Sequence, residues 1–183
     1  MQKVPLEIGS LLANADRLYT LPQVEDAITA LAGRISQELG SLNPILLPIM
    51  NGGLTIAAGL LRHLAFPLQL DYMHVTRYRD STSGGSLDWI YEPRITLADR
   101  HVLLIDDLLD HGITLEAAVN YCREKEASSV RTAVLIVKDI EQRPGLQSVD
   151  YCALEAPDRY LFGYGMDYKT YWRNAPGIYA VKS

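Results

Sequence analysis

Asp106, Asp107 and Asp110 stand close together in the run His101-Val-Leu-Leu-Ile-Asp-Asp-Leu-Leu-Asp-His-Gly-Ile-Thr-Leu115. Four apolar residues precede the first pair, so a buried strand is expected to end at Ile105 and release both carboxylates at its tip. Asp110-His111-Gly112-Ile113-Thr114 then reads as a turn into a helix that opens near Thr114. Gly112 lets the backbone come close to a ligand, Thr114 offers a hydroxyl, and the first N–H groups of a helix favour an anion. Adjacent carboxylates suit polyol hydroxyls or a hydrated magnesium ion, while the turn suits a phosphate. Together these residues suit a phosphorylated sugar. A lone acidic residue before a helix is explained by the helix dipole; the whole strand–DDxxDxGxT–helix pattern is more specific than that.

The elements that must position this motif are legible around it. Val24, Ile28, Leu31, Ile35 and Leu39 recur at helical spacing, and Thr20 with Pro22 marks the start, which predicts a helix over 22–39. Pro44 to Met50 reads as a short buried strand, interrupted in its regularity by Pro48, and leads through the turn Asn51-Gly52-Gly53 into an apolar helix ending near Leu64. A strand is expected at 68–78, a loop from Arg79 to Ser86, and further strands at about 132–137 and 149–154. Strands alternating with helices imply an α/β fold, a mostly parallel sheet with helices on both faces. Ligands of such sheets gather beyond the carboxyl ends of the strands. Three of those ends carry unusual chemistry: Asn51-Gly52-Gly53, Asp106-Asp107 and Lys138-Asp139.

With 183 residues, 48% of them hydrophobic and 21% charged, the chain is long and apolar enough to bury one core, which excludes intrinsic disorder. Seventeen basic against twenty-two acidic side chains give a formal charge of -5, which argues against a general nucleic-acid binder. Cys122 and Cys152 are the only cysteines and belong to no Cys/His cluster, so neither a zinc site nor a disulfide scaffold is expected. No apolar run has the length of a membrane span, and MQKVPLEIGS lacks the apolar core of a signal peptide. A cytoplasmic protein with no membrane or nucleic-acid partner is the expectation.

Three more segments accompany the acidic motif in order and spacing: PIMNGGL at 48–54, VLIVKD at 134–139 and DRYLFGYGMDYKTYWR at 158–173. With them the chain resembles the type I phosphoribosyltransferases, and within these the hypoxanthine-guanine phosphoribosyltransferases, from about residue 20 to 181. The resemblance implies a single domain, with a parallel-sheet core over about 20–150. A small hood would be built from the N-terminal segment and about 151–183. It implies that Asp106 and Asp107 face ribose hydroxyls directly or through magnesium, and that Asp110 to Thr114 hold the 5-phosphate of phosphoribosyl diphosphate. Asp110 is then the acid/base at the purine N7. Asn51, Gly52 and Arg173 would lie on the pyrophosphate side, with a cis peptide between Met50 and Asn51. Lys138 would face the purine O6, Tyr160 would stack on the ring, and Leu161 would meet its edge. Asp167 would sit near both the metal and the guanine edge, so that Asp106, Asp107 and Asp167 are the implied magnesium ligands.

Arg77 and Tyr78 would open a lid that continues through Gly85. Tyr164, Tyr168, Tyr171 and Trp172 are read as packing or interface residues rather than ligands. The chain departs from the pattern at Asn51, where lysine is common, at Arg77, where serine is common, and at His111, where threonine is common and whose ring is expected to point outward. The resemblance implies a homodimer or homotetramer, with the 54–64 helix as a candidate interface. Two other readings share these residues: a xanthine-preferring enzyme, and a non-catalytic sensor of phosphoribosyl diphosphate. The sensor should carry a helix-turn-helix extension or a basic face, and the sequence has neither.

Overall fold

A computed structural model describes residues 4–77 and 87–182; the side chains of Arg77 and Leu87 fall outside that description. In chain order the elements are α1 (Leu6–Asn14), β1 (Asp16–Thr20), α2 (Leu21–Leu39), β2 (Ile45–Pro48), α3 (Gly53–Leu61), β3 (Gln69–Leu70) and β4 (His74–Arg77). They continue with β5 (Leu87–Tyr91), β6 (His101–Leu109), α4 (Ile113–Glu124), β7 (Ser129–Asp139), β8 (Tyr151–Pro157), β9 (Leu161–Phe162) and β10 (Gly177–Ala180).

β3, β2, β6, β7 and β8 form one sheet in that order, every pair parallel. Its central strands carry continuous buried apolar runs, Ile45–Leu47, Val102–Ile105 and Ala133–Ile136, as a sheet covered on both faces requires, whereas the edge strand β3 is exposed. Leu46, Leu103, Ile105 and Leu135 pack under α2 and α3, while Ile45, Leu47, Val102, Leu104 and Val134 alternate onto the face that α4 covers. α2 begins where Thr20 and Pro22 signalled it. The Gln23 side-chain oxygen accepts the Thr20 N–H at 2.9 Å, and all five periodic residues from Val24 to Leu39 are buried.

Three expectations need correction. β6 does not stop at Ile105 but runs to Leu109, because β7 pairs with it as far as Leu109 opposite Val137. Asp106 and Asp107 therefore sit on the last part of a strand, held by a ladder, rather than past its tip. The single strand expected at 68–78 is two: β3 is an edge of the main sheet, whereas β4 leaves it to pair antiparallel with β5. Asp71 stands in the link, where its carboxylate accepts the N–H groups of Tyr72, Arg94 and Ile95 at 2.9, 2.8 and 3.1 Å, and the chain leaves the main sheet after Met73, which still bridges to Ile49. Finally β8 belongs to the main sheet, so residues 151–157 go with the core and the smaller unit begins after Pro157.

That smaller unit is an antiparallel sheet, β1-β10-β9, backed by α1. Trp172 donates its indole N–H to the carbonyl of Ile8 at 2.7 Å, and Arg159 ties Asp16 (2.6 Å) to the carbonyl of Val181 (2.8 Å). The segments before α2 and after Pro157 are thus tied into one unit.

Candidate active site

The acidic motif folds locally. After Leu109 the chain turns through Asp110, His111 and Gly112, and α4 starts at Ile113. Gly112 has φ of 75°, a left-handed conformation that costs a residue with a Cβ about 1–2 kcal/mol. Space also demands glycine, since a Cβ there would stand 2.5 Å from the carbonyl oxygen of Leu146. The requirement comes from a strap, residues 140–147, laid against the turn: Gly145 N–H donates to the His111 carbonyl at 3.0 Å and Leu146 N–H to the Gly112 carbonyl at 3.2 Å. Sequence reasoning gave Gly112 to a ligand alone; the structure gives it to the strap as well.

A cavity of about 260 Å³ lies over this turn, lined by Asn51, Gly52, Asp106, Asp107, Asp110, His111, Gly112, Thr114, Asp167 and Arg173 among others. Ile113 begins the helix but does not line it. The peptide between Met50 and Asn51 is cis, as the resemblance implied. Gly52 presses its backbone on the acidic pair, for a Cβ there would fall 2.0 Å from Asp107 Oδ2. Burial, and then the neighbouring Asp107, push the Asp106 carboxyl well above the usual carboxylate range. Burial also raises Asp107, against the opposing pull of the Arg173 guanidinium.

The pair is therefore short of positive charge or donors on the cavity side. Asp167 is better supplied: Arg173 donates to its Oδ1 at 2.6 Å and the Thr170 N–H to its Oδ2 at 2.7 Å. No group of three or more carboxylate, histidine or cysteine ligands able to hold a metal gathers among the described residues. A donor set of one or two carboxylates completed by substrate oxygens and water is how magnesium is usually held, and Asp106 with Asp107 fit that pattern.

A second cavity, of about 270 Å³, opens on the other side of Asp110 and is lined by Lys138, Tyr160, Leu161 and Met166. The two cavities share Asp107, Leu108, Asp110 and Asp167 as a common wall. Lys138, next to last in β7, is only 8% exposed, which removes it from the solvated lysines of ordinary surfaces. Its Nζ lies 3.4 Å from Asp110 Oδ1 and 3.3 Å from Asp158 Oδ1. Asp110 Oδ1 is buried and accepts no hydrogen bond, while Oδ2 lies 3.3 Å from His111 Nδ1.

The expected outward His111 ring is more than half exposed yet touches the carboxylate. Tyr160 is 53% exposed, lines the second cavity and makes a T-shaped contact with Tyr168 at 5.3 Å between ring centroids. Tyr164, Tyr168 and Trp172 pack into the apolar clusters, while Tyr171 is 44% exposed and lines neither cavity. Arg77 closes β4, and Tyr78 with the rest of the expected lid lies outside the described residues.

Asp158 and Arg143 were not foreseen as site residues. Asp158 opens the segment that carries Tyr160, which was the one available signal. Arg143, in the loop Glu141-Gln-Arg-Pro-Gly145, had none.

A five-stranded parallel sheet with a strand–acidic turn–helix at its carboxyl edge, under a small antiparallel unit, defines a type I phosphoribosyltransferase. Residues 14–169 match the phosphoribosyl transferase domain family. The hypoxanthine-guanine phosphoribosyltransferase of Streptococcus pneumoniae is 32% identical over 166 residues, covering 90% of this chain and 92% of that protein. The hypoxanthine-guanine-xanthine phosphoribosyltransferase of Tritrichomonas foetus is 29% identical over 165 residues, covering 90% of each.

Among solved structures, a hypoxanthine-guanine-xanthine phosphoribosyltransferase superposes with a TM-score of 0.85 at 27% identity, covering 93% of this chain and 99% of that one. A Trypanosoma cruzi hypoxanthine phosphoribosyltransferase in a ternary substrates complex gives 0.84 at 26%, covering 93% and 97%. The chain belongs to the hypoxanthine-guanine phosphoribosyltransferase family, and it is an enzyme of phosphoribosyl transfer in purine salvage.

Proposed function

We propose that the enzyme joins hypoxanthine or guanine to phosphoribosyl diphosphate, releasing pyrophosphate and forming IMP or GMP. The carrying observation is the wall shared by the two cavities, with Asp110 in it and Lys138 facing it at 3.4 Å. A sugar phosphate seated over the Asp110–Thr114 turn and a base seated beside Lys138 and Tyr160 would meet at that carboxylate. Asp110, with one oxygen unbonded, is placed to hold or receive the proton that the purine sheds from N7 as it attacks. The Lys138 ammonium donates to an oxo group at C6 and has nothing to accept from an amino group there, so adenine is disfavoured by an unpaired donor.

Tyr160 supplies a stacking face and Leu161 an edge contact, and Asp106 and Asp107 would bind ribose hydroxyls or magnesium. Magnesium, when bound, would offset the charge that develops on the departing pyrophosphate. Arg173, already drawn to Asp167, lies on the same side. Asn51 brings no charge to the pyrophosphate loop, which leaves Arg173 as the cation there among the described residues lining this cavity.

A magnesium-dependent spectrophotometric assay with phosphoribosyl diphosphate and each of hypoxanthine, guanine, xanthine and adenine tests this reading. Turnover of hypoxanthine or guanine, abolished by EDTA and absent with adenine, is expected. Xanthine as the sole good substrate would replace the base assignment, and silence with all four would end it. We further propose a homodimer or homotetramer built on the α3 face, where Leu54, Leu70 and Tyr72 are exposed around an apolar hollow. A monomer in sedimentation equilibrium would refute that.

A further inference from the structure

The carboxylate and the ammonium at the centre of the site come from neighbouring strands, yet the ladder that joins those strands does not reach them. The last paired residues are Leu109 and Val137. Asp110 and Lys138 are each the next residue along. Lys138 stays paired with Ala156 of β8, and its carbonyl accepts the Ile140 N–H at 3.0 Å, but beyond the β6–β7 ladder its main chain is tied to that of Asp110 by one side chain. Arg143 Nε donates to the Asp110 carbonyl at 2.9 Å, its Nη2 donates to the Lys138 carbonyl, and its Nη1 donates to the carbonyls of Ile140 and Gln147 at 3.2 and 3.3 Å.

All of these acceptors are carbonyls, and no carboxylate lies within ion-pairing distance of Arg143 among the described residues. A planar guanidinium with donors on three nitrogens is the one side chain that can hold carbonyls from two strands and a loop in a fixed relation.

We propose that Arg143 is a positioning residue for the transfer reaction: it replaces the missing ladder bonds and sets the separation of Asp110 from Lys138. The inference rests on the roles given to those two residues under Proposed function. Arg143 lines neither the cavity over the phosphate turn nor the one beside Tyr160; it lines a separate hollow of about 630 Å³ with Lys138 and Asp139, to which no substrate group is assigned. The effect of Arg143 on rate is through geometry, and displacement of reacting groups by about 1 Å is enough to cost on the order of 100-fold.

The test compares the parent enzyme with Arg143→Gln and Arg143→Lys, each alone and in a Lys138→Ala background. Readouts are kcat and KM for hypoxanthine, calorimetric affinity for phosphoribosyl diphosphate, and thermal midpoint. Arg143→Gln is expected to lower kcat/KM for hypoxanthine by ~10- to 100-fold. Affinity for phosphoribosyl diphosphate should stay within about threefold, separating the loss from ground-state binding of that substrate. In the Lys138→Ala background the same change should cost much less, because one of the two groups it aligns is gone.

Arg143→Lys keeps the charge but has a single nitrogen to offer, and should recover only part of the loss. Parent-like kinetics for Arg143→Gln, full activity for Arg143→Lys, or an equal loss in both backgrounds would each overturn the proposal. An inactive parent enzyme would instead overturn the proposed function and this inference with it, so the two failures are told apart by the parent alone.

Discussion

The two cavities that share Asp110 are built in different ways. The one over the phosphate turn takes its floor from a single stretch, Asp106 to Thr114, in which strand, turn and helix follow one another without a break. The other is an assembly: Lys138 comes from the end of β7, Tyr160 from the link after β8, Leu161 from β9, and Met166 and Asp167 from the loop beyond. The first is shaped mainly by local rules, a left-handed glycine and a helix start, with the 140–147 strap laid against the turn. The second depends on where a small antiparallel sheet settles on a large parallel one. The sugar phosphate, common to all substrates, would meet the locally encoded part; the base, which varies, would meet the assembled part.

Asp110 belongs to both cavities, so its loss should be the largest. Asp110→Asn is expected to lower kcat by ~10²- to 10⁴-fold while leaving calorimetric binding of phosphoribosyl diphosphate intact. Unaltered turnover would remove the shared wall from the chemistry. Lys138→Ala should then act on the assembled side alone, cutting the preference for hypoxanthine over adenine by ~10- to 100-fold, the worth of a charged hydrogen bond. Competition assays with the two bases read it directly. Tyr160→Ala should raise the purine KM by about 5- to 100-fold, from a stacking energy of ~1–3 kcal/mol, with little change in the KM for phosphoribosyl diphosphate. If both Michaelis constants rose together, the division between the cavities would be wrong.

Gly112→Ala probes the local side. It should lower stability by about 1–2 kcal/mol for the left-handed backbone, with more from the Leu146 contact, and should weaken phosphoribosyl-diphosphate binding before purine binding. Denaturant midpoints and calorimetry measure the two parts.

The smallest effect has the opposite sign. Asp106 is protonated more readily in the folded protein than in the unfolded chain. Its favourable contribution is thus complete below the unfolded carboxylate range and lost as pH rises through the folded value. At neutral pH, in EDTA and without ligand, Asp106→Asn should therefore raise the thermal midpoint. The gap to the parent should widen from pH 4 to pH 8; a gap that narrows would contradict the buried, charge-starved picture of the acidic pair.

What could be read in advance follows the same division. α2 was legible because Val24, Ile28, Leu31, Ile35 and Leu39 repeat at helical spacing and are all buried. The acidic turn was legible because its chemistry is contiguous. α1 left no usable pattern: Leu6 is 92% exposed and Ile8 is its one buried residue. β9, with two residues, and β10, with four, are shorter than any periodicity can mark, and they exist because β1 gives β10 a partner. The link between β3 and β4 was hidden because Asp71 is an unremarkable aspartate until Arg94 and Ile95 bring their N–H groups to it.

By itself, then, the sequence determined a parallel α/β sheet, since apolar runs buried on both faces alternate with amphipathic helices. It also determined a phosphate-binding turn at the sheet's edge, since the spacing from Asp106 to Thr114 is set by a few adjacent backbone dihedrals. Tertiary structure alone decided that Lys138 faces Asp110, that Asp158 stands behind it, and that Arg143 holds both main chains. Those relations depend on the register of two strands and the path of a loop. They are distances between separate segments, fixed by packing and hydrogen bonds that no local pattern of residues encodes.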